Sequence, residues 1–318
     1  MFAITNPSKV EITSAAKSLI RGALVGIPTE TVYGLAADAE NEAAVARIYA
    51  VKGRPQDHPV IVHIGSVEYL NKWAINIPNY ALKLAKEYWP GPMTLIVERS
   101  EIAKDFITGG QDTVGLRVPA HATTLALLEE FHKLGGNGIA APSANRFGAV
   151  SPTNAEAVQS ELGEFLDQSR DLIIDGGQSL VGVESTIIDC TDNFPKLLRP
   201  GFISLEMIIK TTELKAIYNE NSKIRVSGSL DQHYSPKAKI SLGGKVSVGD
   251  GFIALDVIDT PEGAVRLASP SNLEDFAKTL YAALREGDKR GINRIVVIPP
   301  DGDGLAIAIR DRLTRAAR

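Results

Sequence analysis

The chain reads as an α/β protein in two parts: a larger unit with a twisted, mostly mixed sheet and flanking helices, then a smaller Rossmann-like unit. Three observations predict this. Short apolar runs of strand character alternate with segments of helical period along most of the 318 residues. A polar stretch over 210–236, carrying Asn, Ser, Gly and Lys without a sustained apolar period, separates the two parts. Beyond it, strand and helix patterns resume in a compact set. The expected division is therefore 1–209, a connector at 210–237, and 238–318.

Taken in order, apolar spacing predicts a helix over 13–20, a short buried strand over 23–27 and a helix over 41–51 leading into Lys52-Gly53-Arg54-Pro55. Strands follow at 60–64, 94–97, 114–118 and 138–141, with helices at 80–88 and 123–134 between them. Residues 172–175 and 186–189 add two strands before Arg199-Pro200-Gly201 breaks the pattern. In the small unit, strands are expected at 239–242, 251–257 and 294–298, and helices at 272–285 and 305–317. Neither G-x-G-x-x-G nor G-x-x-x-x-G-K-[ST] occurs anywhere, so the small unit has no glycine fingerprint for a nucleotide.

Composition narrows the class. The apolar fraction of 44% suits a globular chain with a sizeable core. The single cysteine, Cys190, excludes an internal disulfide and a cysteine-based zinc cluster, which fits a reducing compartment. The start lacks the apolar block of a signal peptide and no later run is long enough for a bilayer span, so the expectation is a soluble, cytoplasmic protein with no membrane role. A net charge of −4 argues against charge-driven nucleic-acid binding by the whole molecule while leaving room for a local basic cleft.

Several clusters carry chemistry. Residues 28–34, Pro-Thr-Glu-Thr-Val-Tyr-Gly, follow an apolar strand, and their proline and glycine favour a sharp turn whose hydroxyls either face a cavity or serve local backbone bonding. Lys52 and Arg54 offer a compact ammonium and a planar fork of donors, a pair that suits phosphate oxygens but also a solvated turn. Thr113 and Arg117 lie four apart on a strand and so face one cavity, with Arg117 aimed at a carboxylate that is either a ligand's or an internal acid's. His58 and His63 flank the strand PVIVH with odd spacing, which puts them on opposite faces and argues against a shared metal. Ser143 and Asn145 follow the strand GIAAP and share a face if the backbone stays extended; Ser143 lacks the G-x-S-x-G elbow of a nucleophile. The connector ends in His233-Tyr234-Ser235-Pro236 and is long enough to be a lid or a plain linker.

Six motifs then occur in order over the first three quarters of the chain: PTETVYG at 28–34, KGRP at 52–55, SAN at 143–145, VESTIID at 183–189, LRPG at 198–201 and HYSP at 233–236. On these the chain resembles the YrdC/Sua5 family of threonylcarbamoyl-AMP synthases, in its two-domain Sua5 form. The resemblance implies a YrdC-like first domain, a Sua5 second domain, and synthesis of L-threonylcarbamoyl-AMP and pyrophosphate from L-threonine, bicarbonate or carbon dioxide, and ATP. That would be the first step of N6-threonylcarbamoyladenosine formation in tRNA, with the product handed to a transfer complex. It implies catalytic roles for Lys52, Arg54, Ser143 and Asn145. Threonine would meet Thr31, His63, Arg117, Ala141 and Ser185, and ATP would meet His58, Thr113, Ser151, Arg199 and Tyr234 besides the catalytic four. Mg²⁺ is expected to arrive on ATP, since no dense carboxylate cluster is present and this ion often binds mainly through substrate phosphates and water. The alternative is an RNA-binding module of the YrdC type without nucleotidyl transfer, which the overall acidity disfavours; no stable nucleic-acid binding is expected.

Overall fold

A computed structural model describes residues 3–219, 222–228 and 234–318. His233 and part of the expected connector lie outside the described residues. The first part builds an eleven-stranded mixed sheet from β1 (Ala3–Thr5), β2 (Val25–Ile27), β3 (Gly34–Asp38), β4 (Val62–His63), β5 (Met93–Glu98), β6 (Thr113–Arg117), β7 (Ile139–Ala140), β8 (Leu172–Asp175), β9 (Thr186–Asp189), β10 (Lys196–Arg199) and β11 (Ile217–Tyr218). Their spatial order is β1-β8-β2-β3-β7-β4-β6-β5-β9-β10-β11. Parallel pairs such as β4 with β6 sit beside antiparallel ones such as β5 with β6, so the sheet is mixed as expected. The second part is a four-stranded parallel sheet, ordered β12 (Lys239–Leu242), β15 (Arg294–Val297), β13 (Gly251–Ile253), β14 (Val265–Ala268).

Local chemistry sets the helix ends. The helix Lys9–Ile20 starts a turn before the apolar period because Ser8 and Glu11 form a reciprocal capping box. The helix Glu42–Lys52 is N-capped by Asn41 and stopped by Gly53 in the left-handed region at φ 62°, which turns the chain sharply between Lys52 and Arg54. β3 was not expected, since Gly-Leu-Ala-Ala-Asp has little strand propensity. It forms because β2 and β7 flank it and satisfy both of its edges.

The expected connector is more structured than its polarity suggests. The helix Leu205–Thr212, capped by Ser204, runs into it, and β11 adds to β10 as a parallel edge. Residues 222–228 then lie back across the first sheet. There the Gln111 side chain exchanges two hydrogen bonds with the Arg225 backbone, at 2.7 and 3.0 Å, and Val226 is buried with Ile96, Ile187 and Leu198. The far end is fixed to the second domain, where the Asp288 carboxylate accepts from the backbone N–H groups of Lys237 and Ala238, each at 2.9 Å.

The two cores are continuous at one place. Val32, Val150 and Val183 of the first part pack with Phe276, Ala277, Leu280 and Tyr281 on the helix Leu273–Lys289. Val32 and Val183 adjoin Thr31 and Glu184, so this apolar contact seats the second domain directly behind the cavity described next.

Candidate functional site

One hollow, of about 530 Å³ with its mouth, gathers residues far apart in the chain: Thr31, Arg54, His63, Arg117, Ala141, Ser143, Ser185, Arg199 and Tyr234 all line it, with Glu184, Ser227 and Gly228. Strand ends explain the convergence. His63 and Arg117 are paired residues in the register of β4 and β6, and Arg199 closes β10 next to β9. Thr31 comes from the turn after β2, where Thr29 Oγ1 accepts from the Thr31 and Val32 N–H groups and donates to the Val32 carbonyl. That turn is therefore locally bonded and cavity-lining at once.

The rim carries a surplus of positive charge. Among the described residues, Arg54, Arg117 and Arg199 face the hollow against a single carboxylate, Glu184. Arg117 is neutralised from behind by Glu30 at 2.7 Å, both side chains being 5% exposed. The internal acid and the cavity position expected as alternatives for Arg117 thus coexist. Arg54 and Arg199 have no carboxylate partner among the described residues. Arg54 donates to the Pro59 carbonyl at 2.8 Å and to Ser227 Oγ at 3.3 Å. Arg199 donates to the Ser185 carbonyl from Nε and Nη2, to Ser185 Oγ, and to the Ser227 carbonyl at 2.8 Å. Burial pulls the Arg54 guanidinium down to about 10, so it stays charged at neutral pH. Two buried guanidinium groups that no carboxylate among the described residues contacts make a site that an anion would complete.

Ser227 links these two arginines, and Gly228 follows at φ 81°, where a Cβ would stand 2.3 Å from the Tyr234 hydroxyl and 3.1 Å from Arg199 Nη1. Only glycine lets the connector pass this close. The connector is thus a strap across the hollow in this structure.

His63 is buried, and its Nδ1 has no hydrogen-bond partner among the described residues. Burial, then Arg117, pushes it from the ordinary 6.5 to about 3, so it is neutral under ordinary conditions. A consequence for stability follows from the sign of that shift. Below pH 6.5 the unfolded chain takes up a proton that folded His63 refuses, so stability is lost as pH falls towards 3. A His63→Gln variant should lose less unfolding free energy to acid than the parent, by about 2 kcal/mol at pH 5 in urea titrations. Parallel pH profiles for the two proteins would refute this.

Five of the expected site residues are not on the wall of the main hollow. Lys52 is fully buried and turns inward, its Nζ donating to the carbonyls of Ser143 at 2.6 Å and Asn145 at 2.5 Å. Burial and then Arg54 push its pKa well below the usual lysine value; charged or neutral, the amine has the two N–H bonds these carbonyls take. Lys52 thus ties down the loop that presents Ser143. Asn145 also points inward, its amide donating to the carbonyls of Arg146 and Ala149, because the strand ends at Ala140 and the extended register does not continue. Ser151 is fully buried and donates to Glu184 Oε1 at 2.6 Å. His58 is half-buried outside the hollow, edge-on to Phe147 at 5.5 Å. Thr113 requires a correction of a different kind: it shares a strand face with Arg117 but lines a separate apolar slot with Ile96, Ile187 and Val226. Four residues of strand span about 13 Å, enough to put the two side chains in neighbouring recesses.

Sequence reasoning passed over Glu184, Ser227, Tyr281 and Arg312. Glu184 lay inside a quoted motif without a role. Arg312 had a readable signal, a charge on the apolar stripe of Ala308, Ile309, Leu313 and Ala316, where an unpaired arginine would be costly. Ser227 had none. Among the described residues no three or more His, Cys, Asp or Glu converge to hold a metal, and no helix is long and apolar enough to cross a membrane.

Fold and hollow together define a two-domain α/β protein with an anion-accepting site on a mixed sheet, strapped by the segment between the domains. Residues 17–201 match the family profile of Sua5, YciO and YrdC proteins described as "Telomere recombination", and residues 203–318 match the one described as "Threonylcarbamoyl-AMP synthase, C-terminal domain". The chain is 38% identical to the threonylcarbamoyl-AMP synthase of Pyrococcus abyssi over 96% of its own length and 94% of that protein's. It is 36% identical to the one of Bacillus subtilis over 96% and 93%. A crystal structure of P. abyssi Sua5 complexed with L-threonine superimposes with a TM-score of 0.88 at 37% identity, covering 99% of this chain and 97% of that one. The chain belongs to the Sua5/YrdC family of threonylcarbamoyl-AMP synthases.

Proposed function

We propose that this protein is a nucleotidyltransferase that makes L-threonylcarbamoyl-AMP and pyrophosphate from L-threonine, bicarbonate or carbon dioxide, and ATP, opening N6-threonylcarbamoyladenosine formation in tRNA. The observation that carries the reading is the pair of buried guanidiniums, Arg54 and Arg199, without carboxylate partners among the described residues, in the same hollow as the compensated Arg117 and the neutral His63. The first two would meet the triphosphate. Arg117, already balanced by Glu30, would orient the carboxylate of threonine, with Thr31, His63, Ala141 and Ser185 around the amino acid.

No covalent enzyme intermediate is needed. The neutral amine of threonine adds to carbon dioxide and loses a proton to give a carbamate. A carbamate oxygen then attacks the α-phosphorus, the bond to the bridging oxygen breaks, and pyrophosphate leaves with that electron pair. The chain's contribution is to hold three partners in line and to stabilise charge that grows on the phosphates. Ser143, held from beneath by Lys52, would donate to a phosphate oxygen. The residues fit Mg²⁺ as cargo of ATP: the one carboxylate among the described residues of the wall, Glu184, already accepts from Ser151, Tyr281 and Arg312. Mg²⁺ would screen the phosphate charge. The product is a mixed anhydride that water destroys, and the strap of residues 222–228 would limit its exposure. A cytoplasmic location and delivery of the product to a tRNA-modifying transfer complex complete the reading.

The test is pyrophosphate release with each substrate withheld in turn. Release that requires threonine, bicarbonate and ATP together is expected. Release from ATP alone, or none with all three, would sink the assignment.

A further inference from the structure

Glu184 and Arg199 line the same hollow, are both buried, and each feels the other's charge. Opposite charges so placed would ordinarily pair. Here they do not. Arg199 spends its donors on neutral oxygens of Ser185 and Ser227. The Glu184 carboxylate is turned towards the second domain, where its Oε2 accepts from Tyr281 Oη at 2.9 Å and from Arg312 Nε at 2.8 Å. Its Oε1 accepts from Ser151, so both oxygens are occupied.

Arg312 is held with equal care. It is fully buried on the helix Leu305–Ala316, donates from Nη2 to the Pro200 carbonyl at 3.0 Å, and lies 5.3 Å from the centre of the Tyr234 ring. Tyr234 in turn lies nearly parallel to the ring of Tyr281 at 5.7 Å. A buried ion pair across a domain boundary is a poor source of net stability, since desolvation offsets most of the attraction, so its presence here calls for another explanation.

We infer that Arg312 and Tyr281 are positioning residues which hold the Glu184 carboxylate away from Arg199 and so keep that guanidinium free for the phosphates of the nucleotide. This rests on the proposed function. Residues 238–318, which contribute no side chain to the wall of the hollow, would thereby set the charge of the nucleotide site. Without Arg312, the carboxylate loses its counter-charge and the nearest uncompensated guanidinium is that of Arg199. Once those two pair, the hollow has one fewer positive charge to offer.

The full-length Arg312→Met variant tests this through steady-state pyrophosphate release at varied ATP and varied threonine, together with equilibrium binding of a non-hydrolysable ATP analogue. The KM for ATP is expected to rise at least about tenfold, the worth of one charge-assisted contact, while that for threonine stays within about twofold. Adding Glu184→Gln to Arg312→Met should recover most of the ATP affinity, because no carboxylate remains to neutralise Arg199. A purely structural role predicts no such rescue. Tyr281→Phe, which keeps the ring packing and removes one hydrogen bond, should move the ATP KM the same way by about threefold, and it decides the matter if Arg312→Met does not fold. An unchanged ATP KM in folded Arg312→Met or in Tyr281→Phe, or a rise in both KM values without rescue, overturns the inference. If the parent enzyme releases no pyrophosphate, the proposed function fails instead, and binding of the analogue still reports on the clamp.

Discussion

Arg54→Ala is expected to fold like the parent protein and to lose pyrophosphate release by about 10²- to 10³-fold. The physical basis is asymmetric. Arg54 is a buried cation whose hydrogen bonds among the described residues go to a carbonyl and a hydroxyl; it lies 5.8 Å from the Phe147 ring centre, and its Nε lacks a partner among those residues. Such a group contributes little to folding and its removal relieves a desolvation cost. In the transition state the same guanidinium would face charge growing on the phosphates, where one preorganised donor is typically worth about 2.7 to 4 kcal/mol. Arg54→Lys keeps the charge but loses the planar fork, so an intermediate loss is expected. Measuring the thermal midpoint beside the rate checks both halves. Retention of activity within a few-fold would remove phosphate neutralisation from the role of Arg54.

Arg117→Ala should behave in the opposite way, losing both stability and threonine affinity. Its partner Glu30 is buried, pairs with Arg117 at 2.7 Å and accepts from the Ala120 N–H at 3.0 Å. Removing Arg117 strands that carboxylate, a defect that costs about 3 to 5 kcal/mol in buried pairs. A double variant, Glu30→Gln with Arg117→Met, removes both charges and should regain most of the stability, yet its KM for threonine should remain raised by at least about tenfold. Denaturant titration and threonine kinetics on all three variants separate the two effects. Recovery of threonine affinity in the double variant would show that Arg117 acts only as the counter-ion of Glu30.

Much of the fold could be read from local pattern. The amphipathic segments around 41–51, 80–88 and 272–285 and the apolar runs at 172–175 and 186–189 became helices and strands within a few residues of the expected ends. The misses share a cause. β3 and β11 are strands because neighbours complete their backbone hydrogen bonds: no residue type within β3 announces it, and β11, Ile-Tyr, is only two residues long and too short to show a pattern. The expected site residues divide along similar lines. Arg54, His63, Arg117, Ser143 and Arg199 reach one hollow, whereas Lys52, Asn145 and Ser151 stand behind its wall.

The amino-acid order alone determined the alternation of strands and helices, the family, and the residue types available to meet an anion and an amino acid, since these depend on neighbours within a few positions. Three-dimensional packing decided which charges are spent and which are free. Whether a guanidinium is cancelled, as Arg117 is by Glu30, or left open, as Arg199 is while Glu184 is turned towards Arg312, depends on contacts between residues as much as 128 positions apart. Electrostatic energy follows distance in space and exposure to water, and a linear chain states neither.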